Sequence, residues 1–251
     1  MGHRRSLLVT GLAVAVASVS GFVAARPRHD TRHDAAERAA IVADVKRQLA
    51  DEMGLMPVRL LRDRRASFVE LNSYDRSGTS HYGTAGYLGG GYFITVKHAV
   101  VALGPGATAI TSVRVVYKGQ EIPARVVDTG DARHEVHRGD WAIISTMPLD
   151  LPALTVDTHF AFDFAAPIVR LGNDYSKGVL VSSGYVGQRT ENGLITGLLD
   201  GHPGVSGGGV LSQNGDLIGI PIGRMDGDYR FSFLLPVRPE MFRKVPKTAL
   251  D

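Results

Sequence analysis

A serine surrounded by glycines is the part of this sequence that most directly suggests chemistry. Ser206 lies in the hexapeptide PGVSGG at positions 203–208, whose small neighbours let backbone N–H groups approach a reacting carbonyl oxygen. A serine hydroxyl is a weak nucleophile until a nearby base accepts its proton, and an imidazole does this near neutral pH. We therefore expect a histidine beside Ser206, and a carboxylate that fixes the tautomer of that histidine.

Two upstream segments supply both partners. His98 closes one apolar run of the chain, and Asp140 opens another. In the expected site, Ser206 is the nucleophile, His98 is the general acid and base, and Asp140 orients His98. The N–H groups of Gly204 and Ser206 are expected to form the oxyanion hole.

The nucleophile segment carries a family resemblance. The stretch PGVSGGGVLSQNGDLIGI, residues 203–220, resembles the corresponding region of trypsin-like serine proteases, and of their HtrA type in particular. The Thr-x-x-His sequence at 95–98 and the Asp-Trp-Ala-Ile sequence at 140–143 resemble the family's histidine and aspartate motifs. The resemblance covers residues 66–238, and we expect an HtrA-type protease domain without a PDZ domain. It implies a chymotrypsin-like fold of two six-stranded antiparallel β-barrels and hydrolysis of protein or peptide substrates without a cofactor.

The pattern of apolar residues, taken alone, predicts an all-β protein. Short β-branched runs separated by Gly, Asp and Asn recur from residue 66 onwards, and no helix-length periodic segments alternate with them. The choice of two barrels comes from the resemblance. On that basis, the protease domain covers residues 66–251, with barrel one at about 66–150 and barrel two at about 160–240.

Two residues of the nucleophile segment differ from the family. Val205 replaces the aspartate of digestive members and the asparagine that is usual in the HtrA type. Because valine cannot pair with a newly cut N-terminal ammonium, the zymogen activation of digestive proteases is excluded. Gly209 replaces the common proline, which predicts a looser backbone in the oxyanion loop.

Residues on both sides of the nucleophile are candidates for substrate binding. Asp200 stands where a direct count reaches the base of the specificity pocket in digestive members, which implies a preference for Arg or Lys. The alternative is that Asp200 only caps the following turn. His202 is expected at the mouth of the pocket. Ile220, Ile222 and Gly223 are expected to form the other wall, whose backbone binds an extended substrate by strand addition.

Spacing and composition exclude other chemistries. His134 and His137 surround Glu135 in a charged loop, but no third ligand follows at metal-site spacing, so we expect no metal. The net charge of +3 lies partly in N-terminal arginines, which excludes nucleic-acid binding by electrostatics. The chain contains no cysteine and therefore no disulfide.

The N-terminal segment predicts export. A basic start precedes an apolar stretch over residues 7–25, which is typical of a signal peptide and also of an uncleaved membrane anchor. Both interpretations stay open for residues 1–25. We accordingly expect an exported bacterial protein that is periplasmic or secreted, or one that is attached to the membrane through residues 6–25.

Residues 26–65 are expected to form a linker and one amphipathic helix. Apolar residues recur at helical spacing over residues 34–54. Three roles are open for this apolar stripe: packing on the first barrel, pairing with another subunit, or covering the active-site cleft. The oligomeric state is not indicated. The basic cluster that follows is expected to be a solvated linker: Arg59, Arg62, Arg64 and Arg65.

The sequence as a whole predicts a trypsin-like serine endopeptidase that forms an acyl-enzyme on Ser206. Two other functions are compatible with it. One is an inactive or latent homologue that binds peptides in the envelope, and the other is a structural envelope protein.

Overall fold

Six antiparallel strands form the first of two closed barrels. The computed structural model describes residues 31–250, so the predicted signal peptide or anchor lies outside the described residues. The strands of barrel one are β1 (Phe68–Asp75), β2 (Ser80–Gly89), β3 (Tyr92–Thr95), β4 (Ile110–Tyr117), β5 (Gln120–Thr129) and β6 (Ala142–Ser145). They close in the order β1-β2-β3-β6-β5-β4.

The second barrel repeats this architecture. Its strands are β7 (Pro167–Asn173), β8 (Val179–Arg189), β9 (Ile195–Gly197), β10 (Gly209–Leu211), β11 (Leu217–Met225) and β12 (Asp228–Pro236). They close in the order β10-β11-β12-β9-β8-β7. Three single turns of 3-10 helix complete the described part, at Asp174–Ser176, Pro239–Phe242 and Lys247–Ala249. The predicted fold of two six-stranded antiparallel barrels is confirmed.

The strand sequences explain where each strand lies. In β1, buried and partly buried residues alternate, as expected for a strand with one face on the core. Strand β6 is buried along its whole length, and its sequence is accordingly apolar except for the terminal serine. Its neighbour β3 pairs with it from Tyr92 to Thr95. The candidate site lies at the end of this strand pair.

Two helices precede the barrels. Helix α1 (Thr31–Met53) corresponds to the helix predicted from the apolar periodicity. Helix α2 (Val58–Arg65) replaces the solvated linker expected for the basic cluster. Within residues 31–250, neither these helices nor any other is both long and apolar enough to span a membrane. The compact unit that contains both barrels begins at Lys46.

Contacts with barrel two explain why the basic segment is helical. The Nε atom of Arg65 donates to the carbonyl of Val179 at 2.8 Å. Leu60 packs beside Gly215, where a Cβ would lie 3.1 Å from the Leu60 methyl groups. Three arginines occupy the last turn, where the helix dipole favours cations. The helix is therefore stabilised by its last turn and by packing, because its N-terminus has no side-chain cap.

The two barrels share one hydrophobic core. A single cluster of buried side chains contains Leu71 and Phe93 of barrel one together with Leu171 and Leu211 of barrel two. A second, smaller cluster lies within barrel two. Burial on this scale is the main stabilising contribution to a fold that has no disulfide.

Gly209 lies at a contact between the barrels. A Cβ at this position would lie 2.2 Å from Cζ of Phe68 in β1, so the ring occupies the space of a side chain. The residue also pairs with Leu171 at the start of β10. The Phe68 ring therefore explains why position 209 is a glycine. The sequence pattern instead predicts a looser backbone in the oxyanion loop.

Candidate active site

Strand pairing brings His98 and Asp140 together. Thr95, the last residue of β3, pairs with Ala142, the first residue of β6. His98 follows this end of β3 by three residues, and Asp140 precedes this end of β6 by two. Nδ1 of His98 lies 2.6 Å from Oδ2 of Asp140, and the backbone N–H of His98 donates to Oδ1 at 3.0 Å. Both carboxylate oxygens are thus engaged by the same residue. The Asp140 side chain is fully buried and that of His98 is 16% exposed.

The pKa of His98 reflects opposing influences. Burial of the ring lowers the pKa, because the charged imidazolium loses solvation. The hydrogen bond from the ring to Asp140 and the negative charge of Asp140 raise it, and the charge of Glu135 adds to them. The net result is a pKa raised above 6.5. His98 is therefore a stronger base than an isolated imidazole.

Thr84 of barrel one makes hydrogen bonds to residues 203–208 of barrel two, the segment that carries Ser206 and is called the nucleophile turn below. Its hydroxyl donates to the carbonyl of Gly204 at 2.7 Å and accepts from the N–H of Asn173 at 2.8 Å. Its backbone N–H donates to the carbonyl of Ser206 at 2.9 Å. Thr84 is fully buried. One residue of β2 therefore fixes two carbonyl groups of the turn.

The orientation of the peptide before Gly204 is fixed from the opposite side. The carbonyl of Pro203 accepts a hydrogen bond from the N–H of Tyr175 at 2.9 Å. In a planar trans peptide, N–H points opposite to C=O. The N–H of Gly204 therefore points away from Tyr175. Gly204 has a φ of 99°, and Asn173 O would lie 2.2 Å from a Cβ, so a side chain has no place here.

The N–H of Ser206 is oriented in the same way. The carbonyl of Val205 accepts from the N–H of Gly208 at 2.9 Å, which directs the following N–H to the other side of the peptide. Neither the N–H of Gly204 nor that of Ser206 has a hydrogen-bond acceptor within residues 31–250. Both donors are thus available to a group that enters the site from outside.

The residue after the serine packs on the strand that leads to His98. A Cβ at Gly207 would lie 2.3 Å from Oγ1 of Thr95 and 3.0 Å from the nitrogen of Val96. Because Gly207 also has a φ of 80°, only glycine permits this approach. The contact brings the turn of Ser206 to the end of β3. Among the described residues, no hydrogen bond joins the side chains of His98 and Ser206.

A cavity of about 110 Å³ opens beside Ser206. The other residues that line it are Gly201, His202, Pro203, Val205, Gly223 and Arg224. Two of the predicted substrate-binding residues, His202 and Gly223, thus belong to the cavity wall. The cavity is bounded by the turn that carries Ser206 and by the end of strand β11.

Three other predicted substrate-binding residues do not line this cavity. Asp200 is outside the lining, and its Oδ2 atom accepts a hydrogen bond from the hydroxyl of Ser182 at 3.3 Å. Ile220 and Ile222 are fully buried in the shared core. Counting residues back from Ser206 gives the position of Asp200 along the chain, but it does not give the direction of the Asp200 side chain. The cavity therefore gives no support to a preference for Arg or Lys.

Arg224 lines the cavity and was not among the predicted residues. It follows Gly223 directly, at the end of the apolar run of β11. That position is the available sequence signal, because a residue next to a predicted wall residue can reach the same cavity. Its charge makes it the most consequential addition to the site.

The loop between β5 and β6 carries His134 and His137, the two histidines considered as metal ligands. Nδ1 of His134 lies 2.8 Å from the carbonyl oxygen of its neighbour Glu135. Across the part of the chain that the structure describes, no group of three or more His, Asp or Glu side chains could hold a metal ion. Glu135 instead lines a second cavity together with His98.

Solved structures of bacterial proteases share this fold. The active form of the Rv3671c protease from M. tuberculosis is 19% identical with a TM-score of 0.62, over 74% of this chain and 83% of that one. A serine endoprotease from Yersinia pestis is 18% identical with a TM-score of 0.61, over 78% and 68% of the two chains. The HtrA-type protease AlgW, solved with a tripeptide, is 20% identical with a TM-score of 0.61, over 76% and 62%.

A comparison with models of protein families shows to which family the chain belongs. A search of curated proteins returned no match. The family model of the trypsin-like peptidase domain matches residues 83–220, more than half of the chain, and this range includes His98, Asp140 and Ser206. The chain therefore belongs to the trypsin-like peptidase family and is a hydrolase of the serine endopeptidase class.

Proposed function

We propose that the chain hydrolyses peptide bonds through an acyl-enzyme on Ser206. The observation that carries the proposal is the 2.6 Å contact between Nδ1 of His98 and the buried carboxylate of Asp140. With Nδ1–H bound to Asp140, the other ring nitrogen is left to accept a proton. Such a histidine serves as the general base for a serine hydroxyl.

In the proposed reaction, Nε2 of His98 accepts the proton of Ser206 as Oγ attacks the carbonyl carbon of the substrate. The same proton then passes to the departing amine, and the acyl group remains on Oγ. Water, activated by His98, hydrolyses this ester and restores the serine. Asp140 stabilises the imidazolium that forms in each half of the reaction.

The oxyanion of each tetrahedral intermediate is proposed to bind the N–H groups of Gly204 and Ser206. The proposal is supported by their lack of an acceptor within the described residues and by the hydrogen bonds that hold the neighbouring carbonyl groups. Donors fixed before the reaction stabilise developing charge without reorganisation.

The substrate is proposed to be a protein or peptide bound as an added strand. Beyond Pro221, whose carbonyl accepts a hydrogen bond from the N–H of Gly207 at 3.0 Å, β11 has a ladder partner on one side, in β12, which supports an open edge beside Gly223. Structures of the relative AlgW contain peptides, which agrees with a peptide substrate for this chain.

Export remains part of the proposal. It is supported by the apolar residues 7–25 that follow the N-terminal arginines. The proposed destinations are the periplasm or the medium after cleavage, or the membrane surface if the segment is retained as an anchor.

Labelling of the purified chain with a fluorophosphonate tests the reaction directly. Such a probe reacts with a serine whose base and oxyanion donors are in place. We expect one adduct, located on Ser206 by mass spectrometry, and its loss in Ser206→Ala and in His98→Ala. Ser183→Ala, which removes an exposed serine of β8, is the control and should label as the wild type does.

A folded wild-type chain without an adduct would contradict the proposal. Together with retained binding of peptides, that result would favour the inactive or latent homologue. The absence of a hydrogen bond between His98 and Ser206 in the described residues is the observation on which this second function rests.

A further inference from the structure

We propose that the cavity beside Ser206 selects substrates with a carboxylate side chain, Glu or Asp, at the residue whose carbonyl is attacked. The proposal rests on the proposed endopeptidase function and adds its substrate class. The residue that determines the selection is Arg224, which lines this cavity.

Arg224 is held in place by neighbours that do not neutralise it. Its Nη1 atom donates to the carbonyl of Gly201 at 3.2 Å, and its guanidinium lies 4.0 Å from the centre of the Tyr229 ring. Within residues 31–250, no carboxylate lies within ion-pair distance of Arg224. Arg224 therefore contributes a restrained cation, without an ion-pair partner, to the set of residues that line the cavity.

His202 adds a second nitrogen-bearing side chain to the same wall. It lies between two aromatic rings, with centroid distances of 5.4 Å to Tyr175 and 5.6 Å to Tyr229. Tyr229 thus contacts both His202 and Arg224. The stack restrains the side chains at the cavity, so less conformational freedom is lost when a substrate binds.

Two acidic groups close to the cavity residues along the chain or in space, Asp174 and Asp200, are already engaged. Asp174 lies 3.6 Å from Nδ1 of His202, and its other oxygen accepts from the buried Arg170 at 3.4 Å. Asp200 is outside the lining and contacts Ser182. No carboxylate belongs to the lining of the cavity, so nothing in its wall offsets the charge of Arg224.

This distribution of charge favours an anionic side chain and disfavours a cationic one. A carboxylate can accept charge-assisted hydrogen bonds from a guanidinium, and these are roughly twice as strong as hydrogen bonds between neutral groups. Lys or Arg in the same cavity would place like charges together, which supplies the repulsive part of specificity. The side chains of Val205 and Pro203 leave apolar wall for the methylene groups of the substrate.

The test compares matched peptide substrates with the purified chain. Fluorogenic peptides differ only at the residue before the cleaved bond, which is Glu, Gln, Ala, Leu or Lys. We expect kcat/KM for Glu to exceed that for its neutral isostere Gln by about tenfold or more. Lys should be the poorest substrate of the series.

Removal of the cation should abolish the preference. In Arg224→Met, which keeps an unbranched apolar stem and removes the guanidinium, we expect the Glu-to-Gln ratio to fall to within about twofold of unity. Arg230→Met removes an exposed arginine of the neighbouring strand β12, which lies outside the cavity lining, and should keep the wild-type ratio. Fluorophosphonate labelling shows that each variant is folded, since the probe does not need to fill the cavity.

The outcomes separate the substrate class from the reaction. Normal labelling with a wild-type Glu-to-Gln ratio at or below unity would overturn the acidic preference and leave the endopeptidase proposal standing. The same holds for a ratio that survives Arg224→Met. Absence of labelling and of cleavage in the folded wild type would overturn both proposals together.

Discussion

His98 shows how strongly one neighbour determines the chemistry of a residue. Burial alone would lower its pKa and make the ring a poorer base. Asp140 reverses this effect, because the two residues share a hydrogen bond at 2.6 Å and the carboxylate has no contact with solvent. A buried carboxylate costs solvation energy, and the ring and backbone N–H of His98 together compensate for that cost.

The pH dependence of activity should report this pairing. A general base must be neutral, so kcat/KM should rise with pH as His98 loses its proton, with a midpoint above 6.5. Asp140→Asn removes the hydrogen bond to a charged group and should lower both the His98 pKa and, by about 10⁴-fold, kcat. Steady-state kinetics and NMR titration of the His98 ring, each carried out on the wild type and on Asp140→Asn, measure the two effects.

Asp131→Asn is the matched control for this experiment. Asp131 lies 3.9 Å from His137 and its side chain is 88% exposed, so its charge is screened by solvent. The titration of His98 should therefore stay unchanged in this variant. A wild-type midpoint at or below 6.5, or an unchanged ring pKa in Asp140→Asn, would show that Asp140 does not control the base.

The residues of the candidate site differ in how well the sequence could predict them. His98, Asp140 and Ser206 stand in short local motifs, and local motifs carry over without knowledge of loop paths. Asp200 was assigned by counting along a loop, which could not indicate that its carboxylate would contact Ser182 on β8. Arg224 was missed because its role depends on the cavity, which forms only when β11 and the nucleophile turn come together.

At the scale of elements, strands were easier to predict than the second helix. The β-branched runs carry their own signal, and their pairing gives two closed barrels. Residues 58–65 are rich in arginine, and their pattern indicates a solvated segment. The hydrogen bond between Arg65 and Val179 joins residues 114 positions apart, and no local pattern contains that information.

The contact between β1 and β10 should be sensitive to a single methyl group. Gly209→Ala places a Cβ against the Phe68 ring, at a distance of 2.2 Å if nothing moves. Overpacking of this kind should lower the free energy of unfolding by about 1–3 kcal/mol. Urea denaturation of the wild type and the variant measures the change.

A double-mutant cycle identifies the ring as the cause. Phe68→Leu shortens the side chain and removes the atoms that the new methyl group would meet. The destabilisation in Gly209→Ala/Phe68→Leu should therefore be smaller than the sum of the single effects, by about 0.5–3 kcal/mol. Additive effects would mean that the glycine is required for another reason, such as the methyl group of Leu217, which would lie 3.3 Å from the same Cβ.

At the scale of the whole molecule, the candidate site is divided between the barrels. Barrel one supplies His98 and Asp140, and barrel two supplies Ser206 and the cavity. Thr84 makes the connection, because its hydroxyl and its N–H both cross to the second barrel. It lies 120 positions from Gly204, and threonine is common in strands, so nothing in the sequence distinguishes it.

Removal of the Thr84 hydroxyl should therefore impair catalysis, although this residue lies at the contact between the barrels and not beside the reacting atoms. Thr84→Val keeps the shape of the side chain but leaves the carbonyl of Gly204 and the N–H of Asn173 without their partner. Unsatisfied buried groups should cost about 1–3 kcal/mol of stability. Because the oxyanion turn loses a support, kcat should fall by about a hundredfold while KM changes little.

Thr84→Ser separates positioning from packing. Serine keeps the hydroxyl and loses only a methyl group, so kcat should return close to the wild-type value although some stability is lost. Steady-state kinetics well below the melting temperature of each variant, together with fluorophosphonate labelling rates, make the comparison. If Thr84→Val is unstable but turns over as fast as Thr84→Ser, the hydroxyl only stabilises the contact between the barrels. If kcat falls in the valine variant alone, the first barrel controls the reactivity of the serine in the second through this hydroxyl group.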